Sequence, residues 1–194
     1  MRATRRTGPR GTVLLVALAL LATSACGIKT TRYTDPDFNF AFVERIAVLP
    51  LENLTNDAQA GERATRLLIT ELLASRSVEV VEPGEVRAAL QRLAGASITP
   101  STEQVIALGK SLSAQAVLIG AVTQSDLSRS GTVAIPVVTI DAHLLETETG
   151  TAVWAATQTE KGAGVGAKLL GTGGEPISET TRRCVRRLVS ALVR

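Results

Sequence analysis

Short apolar segments along the chain predict the strands of a β-sheet. Residues 46–49 are continuously apolar, which is typical of a strand covered on both faces and favours a central, parallel position. Pro50 ends this strand because proline cannot donate to a sheet ladder. Residues 133–146 alternate from Val138 onward, and a turn sequence after them predicts a hairpin. The other segments that predict strands are residues 78–84, 114–124 and 151–159.

Apolar residues spaced by three and four positions predict the helices. Residues 58–75 have this spacing, and residues 85–93 form a shorter stretch of the same kind. Ser101 with Gln104 three residues later is a capping-box pattern, which predicts a helix that continues to about Leu112. A last helix from about Ile177 is expected to bury one apolar face: Cys184, Val185, Leu188, Val189 and Leu192.

The predicted order β-α-β-α-α-β-β-β-α indicates an α/β fold with a mixed sheet in one compact domain, and 45% hydrophobic residues are ample for a core. Residues 125–130 are expected to be a short polar link between two strands. Residues 27–42 are polar and predict a tether with little structure of its own. The aromatic residues of this tether, among them Tyr33, Phe38 and Phe40, could fold back onto the domain or onto a neighbouring copy.

The first 25 residues have the layout of a secretory signal peptide. Four arginines and no acidic residue precede an apolar run over residues 13–22, and three small residues follow at 23–25. The run is shorter than the roughly 20 residues that a membrane-spanning helix needs, although an uncleaved anchor is the alternative. We expect a leader at 1–25, a tether at 26–42 and an α/β domain at 43–194.

Cys26 follows the small residues directly, and the sequence Thr-Ser-Ala-Cys-Gly resembles the lipobox of bacterial lipoproteins. Thr23 departs from that pattern, which usually has leucine there. The resemblance implies cleavage before Cys26 and attachment of fatty acyl chains, of which two or three anchor a protein stably. Gly27 is not the aspartate that resembles an inner-membrane retention signal, so we expect an outer-membrane anchor facing the periplasm. Cys184 would then lack a disulfide partner and is expected to be a buried, small apolar residue.

The net charge of the chain gives no sign of nucleic-acid binding. The sequence has 21 basic and 18 acidic residues, a formal charge of +3. Without the four leader arginines, 17 basic residues face the same 18 acidic ones, and the remainder is close to neutral. Such a chain lacks the basic surface that attracts phosphate backbones.

No motif for catalysis or for a cofactor emerges. The glycine-rich segment 162–174 fits neither a phosphate-binding loop nor a dinucleotide-binding fingerprint, and it predicts a flexible loop. His143 is the only histidine, and Asp141 shares its strand face, but the chain has no G-x-S-x-G motif for a nucleophile. A zinc site needs three or four protein ligands, which one histidine and one unmodified cysteine do not suggest. We therefore expect no enzyme activity, no cofactor, no metal and no small-molecule substrate.

Four arginines on the last helix remain without an assigned role: Arg182, Arg183, Arg186 and Arg187. They could contact lipid headgroups, a nucleic acid or glycan carboxylates. They are also typical of the solvated face of an amphipathic helix, and the sequence leaves this choice open.

Three stretches together resemble the CsgG-like lipoproteins, the LpoB-type activators of penicillin-binding proteins and the amino-terminal domain of TolB. The stretches are RIAVLPLENLTND, SLSAQAVLIGAVT and VTIDAHLLETETGTAVW, and the likeness spans about residues 44–194. Ser113 stands where these families usually have glycine, and Gln115 where they have aspartate. CsgG is an oligomeric secretion channel with two long hairpins, and the corresponding segments of this chain look short.

The resemblance implies a pore-less, lipid-anchored α/β domain that binds envelope proteins or copies of itself in envelope assembly or secretion. A subunit of a CsgG-type channel is the alternative. The surface that we expect to bind a partner combines the polar strand face at Thr139 and Asp141 with the loop Asn-Leu-Thr-Asn-Asp at residues 53–57.

Overall fold

A computed structural model describes residues 30–93, 100–130, 133–162 and 175–193. The predicted leader, Cys26 and residues 163–174 of the glycine-rich loop lie outside the described residues. Within these ranges the strands are β1 (Thr31–Thr34), β2 (Arg45–Val48), β3 (Glu52–Asn53), β4 (Glu79–Val80), β5 (Ala116–Ser130), β6 (Val133–Glu146) and β7 (Ala152–Lys161). The helices are α1 (Ala60–Ser75), α2 (Pro83–Arg92), α3 (Thr102–Leu112) and α4 (Ile177–Leu192), and a 3-10 turn spans Phe40–Phe42.

All seven strands belong to one mixed sheet with the order β1-β7-β6-β5-β2-β4, and β3 pairs with β5 beyond the end of β2. The strands β2, β4 and β3 run parallel to their neighbours, because helices connect them. In the sequence β5, β6, β7 and β1, each strand is antiparallel to the strand next to it in the sheet. The sheet therefore has a parallel half and an antiparallel half, which share β5.

Helices cover the two faces of the sheet unequally. We call the face that carries Ile46, Leu118 and Leu144 the inner face, and α1 and α4 pack across it in the larger core cluster. We call the opposite face, which carries Ala47 and Val117, the outer face. Helices α2 and α3 cover the outer face only at β2 and the adjoining ends of β5 and β6.

The structure confirms the predicted fold class and most predicted elements. Residues 46–48 lie in a parallel strand between two neighbours, as continuous apolar character predicted. Ser101 caps α3 with a complete capping box, in which the Gln104 side chain returns to the Ser101 backbone at 2.9 Å. The predicted strand at residues 78–84 is shorter than expected, because Pro83 opens α2 instead of only ending the strand.

Two predictions about flexible segments are wrong. Residues 125–130 are not a polar link, since they continue β5 and pair with β6 as far as Ser130 opposite Val133. The expected tether is structured where the chain is described: Thr31–Thr34 pairs with β7, and Asp35 N–H donates to the Val153 carbonyl at 2.9 Å. Phe38 and Phe40 pack against the larger core, so this segment folds back onto its own domain.

The two departures from the family motif have structural roles at the join between α3 and β5. Ser113 ends α3 with a left-handed backbone (φ 50°), a conformation in which glycine is the usual residue. The Gln115 side chain accepts a hydrogen bond from the Arg45 backbone N–H at 2.7 Å, while the Gln115 N–H donates to the Arg45 carbonyl at 3.0 Å. Ser113 therefore ends α3, and Gln115 fixes the parallel pairing of β5 with β2.

Candidate partner-binding face

Among the described residues, no helix packs over most of the outer face of the antiparallel half. Strand register places its side chains in rows that cross several strands. One row joins Glu52, Ala121, Asp141, Thr157 and Thr31, each opposite the next. These residues are half-buried or exposed, whereas their inner-face neighbours on the same strands, such as Ile140 and Ala156, are buried. We call this surface the open face.

Hydroxyl and carboxylate groups dominate the centre of the open face. The Thr157 hydroxyl donates to the Asp141 carboxylate at 2.5 Å. The hydroxyls of Thr139 and Thr159 lie 3.0 Å apart, and Thr139 also lies 3.4 Å from the Gln124 side chain. These cross-strand contacts order the side chains and leave a polar surface that is suited to another protein surface.

A second row crosses the open face next to the first. It joins Ile119, His143, Ala155 and Tyr33. His143 is exposed and Tyr33 is 50% exposed. The two cross-strand neighbours of His143 are Ile119 and Ala155, and neither supplies a nucleophile. The row contributes an aromatic ring and an imidazole to the open face.

The predicted loop at residues 53–57 does not join Thr139 and Asp141. Asn53 accepts hydrogen bonds from the backbone and hydroxyl of Thr55, at 3.1 and 2.8 Å, so the loop is closed on itself. Asp57 turns toward the inner face, where it contacts Arg63 of α1 and accepts from Ser125 at 3.0 Å. The hydrogen bond from Arg63 holds the pKa of Asp57 below its usual value. Through Asp57 the loop fastens α1 to β5 on the inner side of the sheet, whereas Thr139 lies on the open face.

Cys184 is fully buried, as predicted from its helical position. Its Sγ lies 3.2 Å from the Gln158 carbonyl, and burial raises the pKa of the thiol far above its usual value. A thiol in this state is a poor nucleophile and a poor metal ligand. Within the described ranges, no group of three His, Cys, Asp or Glu side chains could hold a metal ion.

The arginines of α4 belong to ion pairs that the sequence could not reveal. Arg187 lies 2.7 Å from the carboxylate of Glu160, whose side chain is only 5% exposed. Arg183 approaches the same carboxylate at 3.8 Å, and Arg186 pairs with Glu71 of α1 at 3.5 Å. The remaining arginine, Arg182, pairs with Glu179 at 3.4 Å. Each of the four arginines on this amphipathic helix thus has a carboxylate partner.

The helices that the structure describes include none with both the length and the apolar character that a membrane crossing requires.

The sequence model of the family described as peptidoglycan-synthase activator LpoB matches residues 39–159, which is more than half of the chain. The chain belongs to the LpoB family. The matched range begins before the 3-10 turn and ends within β7, so the family signature includes most of the open face. This match confirms the LpoB part of the resemblance; the CsgG part is not shown. No curated protein sequence matches the chain.

Solved structures share the fold over most of their length. PelC from Paraburkholderia phytofirmans, solved as a dodecamer, is 20% identical with a TM-score of 0.57, over 84% of this chain and 96% of PelC. Lipoprotein GNA1162 from Neisseria meningitidis is 18% identical with a TM-score of 0.51, over 77% and 95% of the two chains. The hypothetical protein CT253 from Chlamydia trachomatis is 10% identical with a TM-score of 0.56, over 78% and 96%. At these identities the likeness establishes the fold alone.

Proposed function

We propose that the chain is a non-enzymatic lipoprotein, anchored in the outer membrane by acyl chains on Cys26, that activates a peptidoglycan synthase by binding it in the periplasm. Membership of a family of peptidoglycan-synthase activators carries this proposal. An activator needs a surface for its synthase and no active site of its own, and the open face supplies such a surface.

The open face meets the requirements of a transient interface. It carries side chains already ordered by cross-strand hydrogen bonds, and its polar centre adjoins the row of Ile119, His143, Ala155 and Tyr33. Ordered side chains lose little conformational entropy on binding. The acyl anchor adds to affinity without any new contact, because confinement near a membrane raises the effective concentration of the domain around membrane-bound partners.

A matched pair of substitutions tests the open face. Thr157→Arg places a long cation at its centre, and Thr70→Arg places the same residue on the exposed side of α1, away from it. We expect Thr157→Arg to abolish stimulation of glycan polymerisation by a purified peptidoglycan synthase, while Thr70→Arg retains it. Crosslinking in intact cells from a photoreactive residue at position 157 should capture the synthase. Capture of a second copy of the chain instead would show that the open face serves self-association, and equal stimulation by both variants would refute the assignment.

The anchor is tested separately through Cys26. We expect the amino-terminal peptide of the mature protein to begin at Cys26 and to carry the added mass of its acyl chains in mass spectrometry. Cys26→Ser should shift the protein from the outer-membrane fraction to the soluble periplasmic fraction. An intact leader on protein recovered from cells would contradict the anchor.

The matched family gives no support to the alternative, a channel subunit of the CsgG type. Conductance measurements on the purified protein in planar bilayers distinguish the two functions. We expect no steady pores, and reproducible unitary currents would overturn the proposal.

A further inference from the structure

A cleft between β1 and the carboxyl-terminal half of α4 gathers three arginines. Its volume is about 690 Å³. The lining residues are Thr30, Arg32, Arg186, Arg187, Ser190 and Ala191. None of these six is acidic, and three are cationic. The cleft therefore offers guanidinium and hydroxyl donors to an anionic ligand.

The guanidinium groups face outward and their partner carboxylates lie behind them. The side chain of Arg187 is 53% exposed, while that of its partner Glu160 is 5% exposed. The side chain of Arg186 is 57% exposed, while that of its partner Glu71 is 19% exposed. Arg32 contacts a backbone carbonyl, that of Ala191 at 3.3 Å, and pairs with no carboxylate of the described residues. A ligand that enters the cleft consequently meets the cations first.

The sequence position of Thr30 fixes where this cleft lies relative to an anchor at Cys26. Only four residues lead from Cys26 to Thr30, and four residues span at most about 14 Å even when fully extended. Thr30 is itself part of the cleft, and its hydroxyl bonds to the Gln158 side chain. The cleft is thus held within one to two Debye lengths of the membrane surface, where a Debye length is about 8 Å at physiological ionic strength.

We infer that this cleft binds the anionic headgroups of phospholipids and orients the domain on the membrane. Arginine matches phosphate in planar, bidentate geometry, and a cationic patch next to an acyl anchor is a recognised second signal for stable membrane attachment. Orientation follows because Arg32 pairs with Ala156 on the inner face of the sheet, so a membrane that contacts the cleft lies on the side opposite to the open face. The distance of the cleft from the membrane rests on the acylation of Cys26 proposed above. The affinity of the cleft for headgroups does not depend on that acylation.

The test uses residues 27–194, which lack Cys26 and retain every residue that the structure describes. Binding is measured by co-sedimentation with vesicles of phosphatidylcholine alone and of an equimolar phosphatidylcholine–phosphatidylglycerol mixture. We expect binding only to the mixture, and Arg32→Gln with Arg186→Gln should weaken it about fivefold per arginine. Both substitutions leave Arg187 in place, so the buried Glu160 keeps its partner.

A control variant with the same net charge distinguishes binding in the cleft from general electrostatic attraction to anionic vesicles. Arg66→Gln with Arg87→Gln removes two exposed arginines from α1 and α2. Equal loss of vesicle binding in both double variants would overturn the inference, as would equal binding to neutral vesicles. Displacement of the chain from vesicles by millimolar inorganic phosphate would also overturn it, in favour of a soluble anion. The mass of the acyl chains on Cys26 is measured in a separate experiment. An absence of headgroup binding by the cleft and an absence of acylation at Cys26 therefore give different results.

Discussion

The parallel and antiparallel halves of the sheet differ in how their outer face is used. In the parallel half, Ala47, Leu49 and Val117 are buried under α2 and α3, and the opposite face is buried under α1. In the antiparallel half, the inner face packs on α1 and α4 while Asp141, His143 and Thr157 of the outer face meet solvent. Parallel strands need crossover helices that cover them, whereas hairpins do not. The surface that we propose for partner binding therefore lies in the antiparallel half.

The sharpest way to test this difference is to substitute two adjacent residues of β6. Leu144 faces inward and is 1% exposed, while His143 faces outward and is exposed. Leu144→Ala should lower the free energy of unfolding by about 2–5 kcal/mol, because it leaves a cavity in the core. His143→Ala should change it by no more than about 0.5 kcal/mol. Urea unfolding of both variants measures the two values, and similar losses would contradict the assignment of faces.

A second test examines the close pairing of β5 and β6 under the open face. A Cβ atom at Gly120 would stand 2.2 Å from the Asp141 carbonyl oxygen, so Gly120→Ala must displace backbone. We expect a loss of about 1–3 kcal/mol in the free energy of unfolding, as in other overpacked sites.

Gly84 provides the control for that substitution. A Cβ at Gly84, on the first turn of α2, would meet nothing within 4 Å. Gly84→Ala should therefore stabilise the protein by about 0.4–1 kcal/mol through the reduced entropy of the unfolded chain. If both alanine variants were equally stable, the β5–β6 contact would be looser than the structure indicates.

The buried half of the sheet was predictable from the sequence because burial leaves a local signal. Continuous apolar character marked residues 46–49, and helical spacing marked α1 and α4. The open face was only partly predictable. Alternation identified Thr139 and Asp141, but their partners Thr157 and Thr159 depend on cross-strand register, which a single strand does not encode.

The edge strand β1 was missed for a related physical reason. Its four residues are all exposed, so no apolar pattern marks them, and backbone pairing with residues about 120 positions away holds the strand. Arg32 and the cleft beside α4 depend on that pairing and were missed with it. Ser125–Ser130 was misjudged because polar residues can continue a strand when a partner such as β6 supplies the hydrogen bonds.

A third prediction concerns α3, which limits how far the open face extends. The Ser101 side chain accepts a hydrogen bond from the Gln104 N–H at 3.4 Å and completes the capping box. Ser101→Ala should cost about 1 kcal/mol of unfolding free energy, the usual effect of losing an N-cap. Because α3 covers the parallel half, stimulation of the synthase should persist. Loss of stimulation in a folded Ser101→Ala protein would extend the binding surface onto α3.

The last prediction concerns Asp57, which lies between α1 and β5. The pKa of Asp57 is lowered from 3.8, chiefly by its hydrogen bond with Arg63, so the ionised carboxylate stabilises the folded state. This contribution is fully present above the unfolded pKa and is lost as pH falls through the lower folded pKa. Asp57 and Arg63 are partly exposed, so we expect a difference of at most about 1 kcal/mol between the wild-type protein and Asp57→Asn at neutral pH. Urea unfolding should show this difference disappearing as the pH falls below 3.8, whereas a difference that persisted in acid would mean that the hydrogen bond to Ser125, and not the charge, fastens α1 to β5.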